Sequence, residues 1–140
     1  MLDKKIQLNI TTPEQNIFSK EVSQVTIPTT EGEITVLVGH LPLVSVLRSG
    51  ELRFIYKGKE ESLAVSGGFL EVLPNKVTIL ADTAEIAEDI DLEKAEEAKK
   101  RAEKLLEEKR DDTEEFALIA AKLEKEFARV KVARKRKYRK

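Results

Sequence analysis

The chain has 140 residues, 36% of them charged, and a formal net charge of −1, room for one ordinary domain or a small domain with an appendage. It has no cysteine, which excludes a disulfide framework and a thiolate metal site and fits a reducing compartment, and its single histidine excludes a multi-histidine metal centre. No apolar run approaches the ~18 residues of a membrane span, and Met1–Lys5 lacks the apolar core of a signal peptide, so neither is expected.

Charge is unevenly shared. Residues 1–88 carry 8 Lys/Arg against 12 Asp/Glu, a net of −4, whereas residues 89–140 carry 17 against 14, a net of +3. The basic excess gathers at the end, in Arg129, Lys131, Arg134, Lys135, Arg136, Lys137, Arg139 and Lys140. Such a run reads either as a solvated helix end or as a probe for an acidic surface.

Ile6-Gln7-Leu8-Asn9-Ile10 alternates with period two and predicts a half-buried strand. Thr12–Asn16 is turn chemistry with Pro13 at an early position, and Val22, Val25 and Ile27 mark a second stretch closed by Pro28. After the Glu31-Gly32-Glu33 turn come strands at Ile34–Leu37, Leu43–Leu47, Leu52–Tyr56 and Ser62–Val65. Phe69–Val72 and Val77–Leu80 then pair across a four-residue loop, Leu73-Pro74-Asn75-Lys76. Many short strands at this spacing predict a β-sandwich or flattened barrel. Ser66-Gly67-Gly68 lacks the ending of a phosphate loop, and its glycines suit a bulge or a close approach of strands.

At Asp89-Ile90-Asp91 the pattern turns helical, without Gly or Pro thereafter. Asp91 is placed to cap a helix whose apolar stripe is Leu92, Ala95, Ala98, Ala102, Leu105 and Leu106. Asp112 and Glu115 fit a capping box for a second helix with the stripe Phe116, Ile119, Leu123, Phe127 and Val130. A short link makes the two an antiparallel hairpin. The fold class predicted is therefore α+β in two parts, residues 1–88 and 89–140. No catalytic constellation emerges, so no enzyme is expected.

The run Glu31-Gly32-Glu33-Ile34-Thr35-Val36-Leu37-Val38-Gly39-His40-Leu41-Pro42-Leu43 resembles the hallmark loop of epsilon subunits of F-type ATP synthases. Gly50-Glu51-Leu52, Val65–Val72, Asn75–Asp82, Ala84-Glu85, Asp89-Ile90-Asp91 and Arg129–Ala133 extend the resemblance nearly end to end; Thr35 and Val38 depart from the family's Gly and Pro. The resemblance implies a ten-stranded N-terminal β-sandwich, a C-terminal two-helix hairpin, and a non-catalytic role in the central stalk of a bacterial enzyme. It implies partners in the gamma subunit, the c-ring and, transiently, the alpha and beta subunits, on the cytoplasmic face of the plasma membrane. Glu31 and His40 are carried over as c-ring contacts. Phe127, Arg129, Val130, Lys131, Val132, Arg134 and Lys135 are carried over as contacts that inhibit ATP hydrolysis in the catalytic head. A weak regulatory ATP site is implied at Glu85, Ile90, Asp91, Lys94, Ala95, Arg101, Lys125 and Arg129, with Lys94 and Lys125 standing where the family shows Arg. Lysine attracts phosphate as a point charge, without the two-pronged geometry of arginine. The competing reading is a free-standing β-sandwich with a basic arm for nucleic acid; the acidic first part and 5% aromatic content argue against it.

Overall fold

Alternation decides the first strand: along β1 (Ile6–Thr11), Ile6, Leu8 and Ile10 are fully buried while Gln7 and Asn9 lie on the outer face. The computed structural model describes residues 4–137; Arg139 and Lys140 of the basic run fall outside the described residues. Seven further strands follow: β2 (Asn16–Val22), β3 (Gln24–Thr29), β4 (Gly32–Val36), β5 (Leu43–Val46), β6 (Gly50–Tyr56), β7 (Lys59–Leu73) and β8 (Lys76–Ile86). They pair in the order β2-β1-β8-β7-β6-β3-β4, with β5 added on β7. β1 runs parallel to β8, and the other pairs are antiparallel.

The sandwich arises because β7 and β8 are long enough to serve both layers. The first part of β7 pairs with β6, its last part with β5, and β8 accompanies it from Lys76 to Ile86. Ser62–Val65 and Phe69–Val72, expected as separate strands, are thus one strand, and the described residues form eight strands where ten were expected. Gly67 and Gly68 mark the crossing, with φ of +64° and +114°. No bulge forms, since the β7–β8 register is the same before and after them. Instead the strands close on each other: a Cβ at Gly67 would meet the Asp82 carboxylate, and one at Gly68 the Leu80 carbonyl.

Two other expectations are corrected. The Val22–Ile27 stretch is two strands, broken at Ser23, because β2 goes to β1 whereas β3 goes to β6 and β4. The turn after β7 is only Pro74-Asn75, since Leu73 and Lys76 already pair. Seventeen buried side chains, from Ile6 to Ala81, fill the space between the layers.

A 3₁₀ turn (Ala87–Asp89) leads to α1 (Leu92–Glu108) and α2 (Thr113–Lys137). Asp91 caps α1, accepting the Lys94 N–H at 3.2 Å. Asp112 caps α2 through the Glu115 N–H at 3.1 Å, but the Glu115 carboxylate turns away to Lys109 at 3.3 Å, so only half of the capping box forms.

Candidate functional site

The hairpin lies folded on the sandwich, with α2 packed across β6 and β7. The alanine spacing of α1 lets the helices approach: Ala95 is fully buried and Ala102 nearly so. The face of α2 matches the one expected only in part. Val130 is buried and Ile119 and Leu123 half-buried, whereas Phe116 and Phe127 are exposed, and the buried set is Glu126, Ala128, Val130, Val132 and Ala133. Phe127 instead carries the Lys99 ammonium 4.4 Å from its ring centroid. A second apolar cluster of Ala64, Ile90, Ala95, Ala128, Val130, Val132 and Ala133 joins β7, α1 and α2. Small side chains at this seam bring the backbones close.

Around the seam sits a charged network that sequence reasoning missed. Glu51, on β6, is 4% exposed although acidic. Its carboxylate accepts hydrogen bonds from Ser62 Oγ at 2.9 Å and Lys135 Nζ at 3.0 Å, with Arg53 Nη1 at 3.4 Å and Lys131 Nζ at 3.9 Å. Burial alone would push this carboxyl up, but the hydrogen bonds from Lys135 and Ser62 and the charges of Lys135 and Lys131 outweigh it. The group is held below the usual carboxylate value. Arg53 also reaches Glu33 at 3.1 Å and Glu60 at 3.4 Å, and Lys135 reaches Glu60 at 3.6 Å. In the sequence Glu51, Arg53 and Ser62 look like the solvent face of a strand pair; the one hint is Ala64, which is directly opposite Glu51 and small enough to lie under a helix.

Of the residues of the expected nucleotide site, Glu85 and Arg129 are brought together. Arg129 Nε stands 3.0 Å from Glu85 without hydrogen-bond alignment, and its Nη1 donates to Glu126 at 2.9 Å. Burial would lower the Arg129 pKa; the two carboxylates overcome this and raise it. Arg134 to Glu96 at 3.0 Å, together with Lys99 over Phe127, fixes the helix register. That register sets Arg101 level with the Lys125–Arg129 turn. Lys94 lies seven residues from Arg101, ~10 Å along the helix. Ile90 and Ala95 are buried in the seam, and Asp91 is used as a cap.

Of the inhibitory set, Val130 and Val132 are buried against the sandwich. Arg129, Lys131, Arg134 and Lys135 are all engaged within the chain. Glu31 and His40 are not brought together. Glu31 lies just before β4, whereas His40 lies four residues beyond it in the following turn, its ring against the Leu41 carbonyl at 2.7 Å. The sandwich also carries an exposed apolar face. Val46, Phe69 and Leu80 form one cross-strand row over β5, β7 and β8, with Val44 beside it, and their exposures run from 44% to 71%. Apolar side chains so grouped mark a contact surface.

A β-sandwich with such a face and a docked helical hairpin has the form of a binding subunit. Two families match the chain in succession: the "ATP synthase, Delta/Epsilon chain, beta-sandwich domain" over residues 5–87 and the "long alpha-helix domain" of the same chain over residues 88–134. The chain belongs to the ATP synthase delta/epsilon family, as an epsilon-type, non-catalytic subunit of the central stalk. The ATP synthase epsilon chain of Herpetosiphon aurantiacus is 45% identical over 134 residues, covering 96% of this chain and 98% of that one. The epsilon chain of Dehalococcoides mccartyi is 47% identical over 133 residues, 95% of each. Among solved structures, a chain of the Euglena gracilis mitochondrial ATP synthase (OSCP/F1/c-ring) superimposes with a TM-score of 0.76 at 31% identity, covering 89% of this chain and 78% of that one. The chain is thus part of an ATP synthase complex, and among the described residues no helix is long and apolar enough to cross a membrane.

Proposed function

We propose that the β-sandwich anchors this subunit to the gamma subunit and the c-ring, on the cytoplasmic face of a bacterial plasma membrane. In this reading the hairpin is a brake on ATP hydrolysis. The observation that carries the anchor is the exposed row Val46-Phe69-Leu80, an apolar surface with a flat strand geometry suited to a protein partner. In this reading Glu31, before β4, and His40, in the turn after it, are contacts with the c-ring. The brake works through Phe127, Arg129, Val130, Lys131, Val132, Arg134 and Lys135 on the alpha and beta subunits. Because the docked hairpin uses most of these internally, it must leave the sandwich before it can inhibit.

The test adds the full chain, or the full chain with Phe69→Glu and Leu80→Glu, to an ATPase core lacking this subunit. The parent is expected to co-purify with gamma and lower hydrolysis; the double variant is expected to keep its fold and lose both, because exposed apolar side chains contribute little to its own stability. Equal co-purification of the two would remove the anchor from this face.

ATP binding is a second reading, supported by the Arg129–Glu85 contact and by Arg101 and Lys125 standing at the same level of the hairpin. The donor set fits a triphosphate in charge, yet Glu85 and Glu126 already hold Arg129, and a phosphate must displace them. Weak binding follows. Titration calorimetry is expected to give heat only toward millimolar Mg-ATP, and its absence there would exclude a regulatory nucleotide.

A further inference from the structure

We propose that Glu51 is the latch of the hairpin, a single buried carboxylate whose two cations on α2 must be stripped away before the hairpin moves. The apolar seam is built of alanines and valines, and the positions one turn to either side of them on α2 are mostly charged, so the seam itself sets the docked register. Glu51 adds a charged contact that release must break. With α2 in place, Glu51 meets Lys135 at 3.0 Å and Lys131 at 3.9 Å, and its side chain is 2% exposed. Leaving the docked position breaks both ammonium contacts of Glu51, and breaking a buried charge pair is strongly unfavourable.

The groups facing the site come from every element around it. β6 offers Glu51 and Arg53, β7 offers Glu60 and Ser62, β4 offers Glu33, and α2 offers Lys131 and Lys135. Docked, the three carboxylates balance the three cations. With α2 lifted away, Glu51 loses both lysines and the strand face turns more acidic. The two lysines that leave are the same ones the proposed brake offers to an acidic partner. Latching and inhibition therefore exclude each other; that consequence rests on the reading above, whereas the latch rests on the contacts alone.

The latch is tested in the isolated full chain, which needs no partner and so separates its failure from that of the proposed function. Amide exchange across residues 124–135 is compared for the parent, Glu51→Gln, Lys135→Met and the double variant. Each single change is expected to raise exchange there by roughly tenfold or more while β1 and β8 stay protected, and the double variant is expected to exceed neither by much. Unchanged α2 exchange in Glu51→Gln, or fully additive effects in the double variant, would overturn the latch. Should Glu51→Gln fail to fold, Lys135→Met decides alone: it alters only a helix surface, and unchanged exchange there overturns the proposal equally.

Discussion

Gly68→Val is expected to leave the chain unable to accumulate as a folded sandwich, or to lower its melting temperature by ~10 °C or more. Two costs coincide at this position. Its φ of +114° lies where a side chain rarely sits, and a Cβ would strike the Leu80 carbonyl oxygen and crowd Ala81 Cα. Those are backbone atoms of the neighbouring strand, so relief requires breaking the β7–β8 pairing on both sides of the crossing. Gly39→Ala is the control. Its φ is also positive, at +88°, but nothing lies within 4 Å of the added carbon. It should therefore cost only the ~1–2 kcal/mol of the backbone conformation. Thermal melts of the two variants side by side check the claim, and equal melting points would mean that the close approach of β7 and β8 is not what the glycine serves.

Ala64→Gln is expected to lift α2 off the sandwich and to strengthen inhibition of ATP hydrolysis. Ala64 is 4% exposed and lies under α2 beside Ala128, Val132 and Ala133. A longer amide there has no room, and overpacking of this kind costs ~1–3 kcal/mol. That is enough to move a docking equilibrium by ten- to a hundredfold. The change is made on the strand side on purpose, since it leaves every helix residue assigned to the brake intact. Two measurements decide it. Amide exchange over residues 124–135 should rise while the β1 and β8 amides hold, and the reconstituted ATPase should be slower than with the parent chain. Freed helices with an unchanged hydrolysis rate would separate hairpin release from inhibition and count against the brake.

What the sequence made legible was what neighbours in the chain decide. Ile6, Leu8 and Ile10 announce their strand because alternation is a property of one segment, and Asp91 announces its helix because a cap reaches only three residues. The Gly67-Gly68 close approach was foreseen as one of two options because only glycine tolerates it. Hidden were the features that depend on distant covering. The continuity of β7 through both layers could not be seen, because a strand that changes layer looks like two strands interrupted by glycine. The buried face of α2 was misplaced in part, because Phe127, large and apolar, suggested a core position, while the sandwich selected the smaller Ala128, Val132 and Ala133. Glu51 was invisible for the same reason. It is buried by residues 84 positions later, and nothing local distinguishes it from a solvent-facing strand residue. The residues proposed for a nucleotide stand out in the sequence as a set of types, but nothing local reveals that Glu126 occupies one side of Arg129.

The two long strands carry a mechanical consequence. The apolar row proposed as the partner surface lies on the last part of β7 and the middle of β8, while α2 packs by Ala64 on the first part of β7. One covalent backbone therefore passes from one grip to the other. A pull on the partner face travels along peptide bonds, and the two layers cannot slide past each other without stretching β7 and β8. In a part that turns with a shaft, this makes the sandwich a stiff spacer, with compliance confined to the hairpin above it.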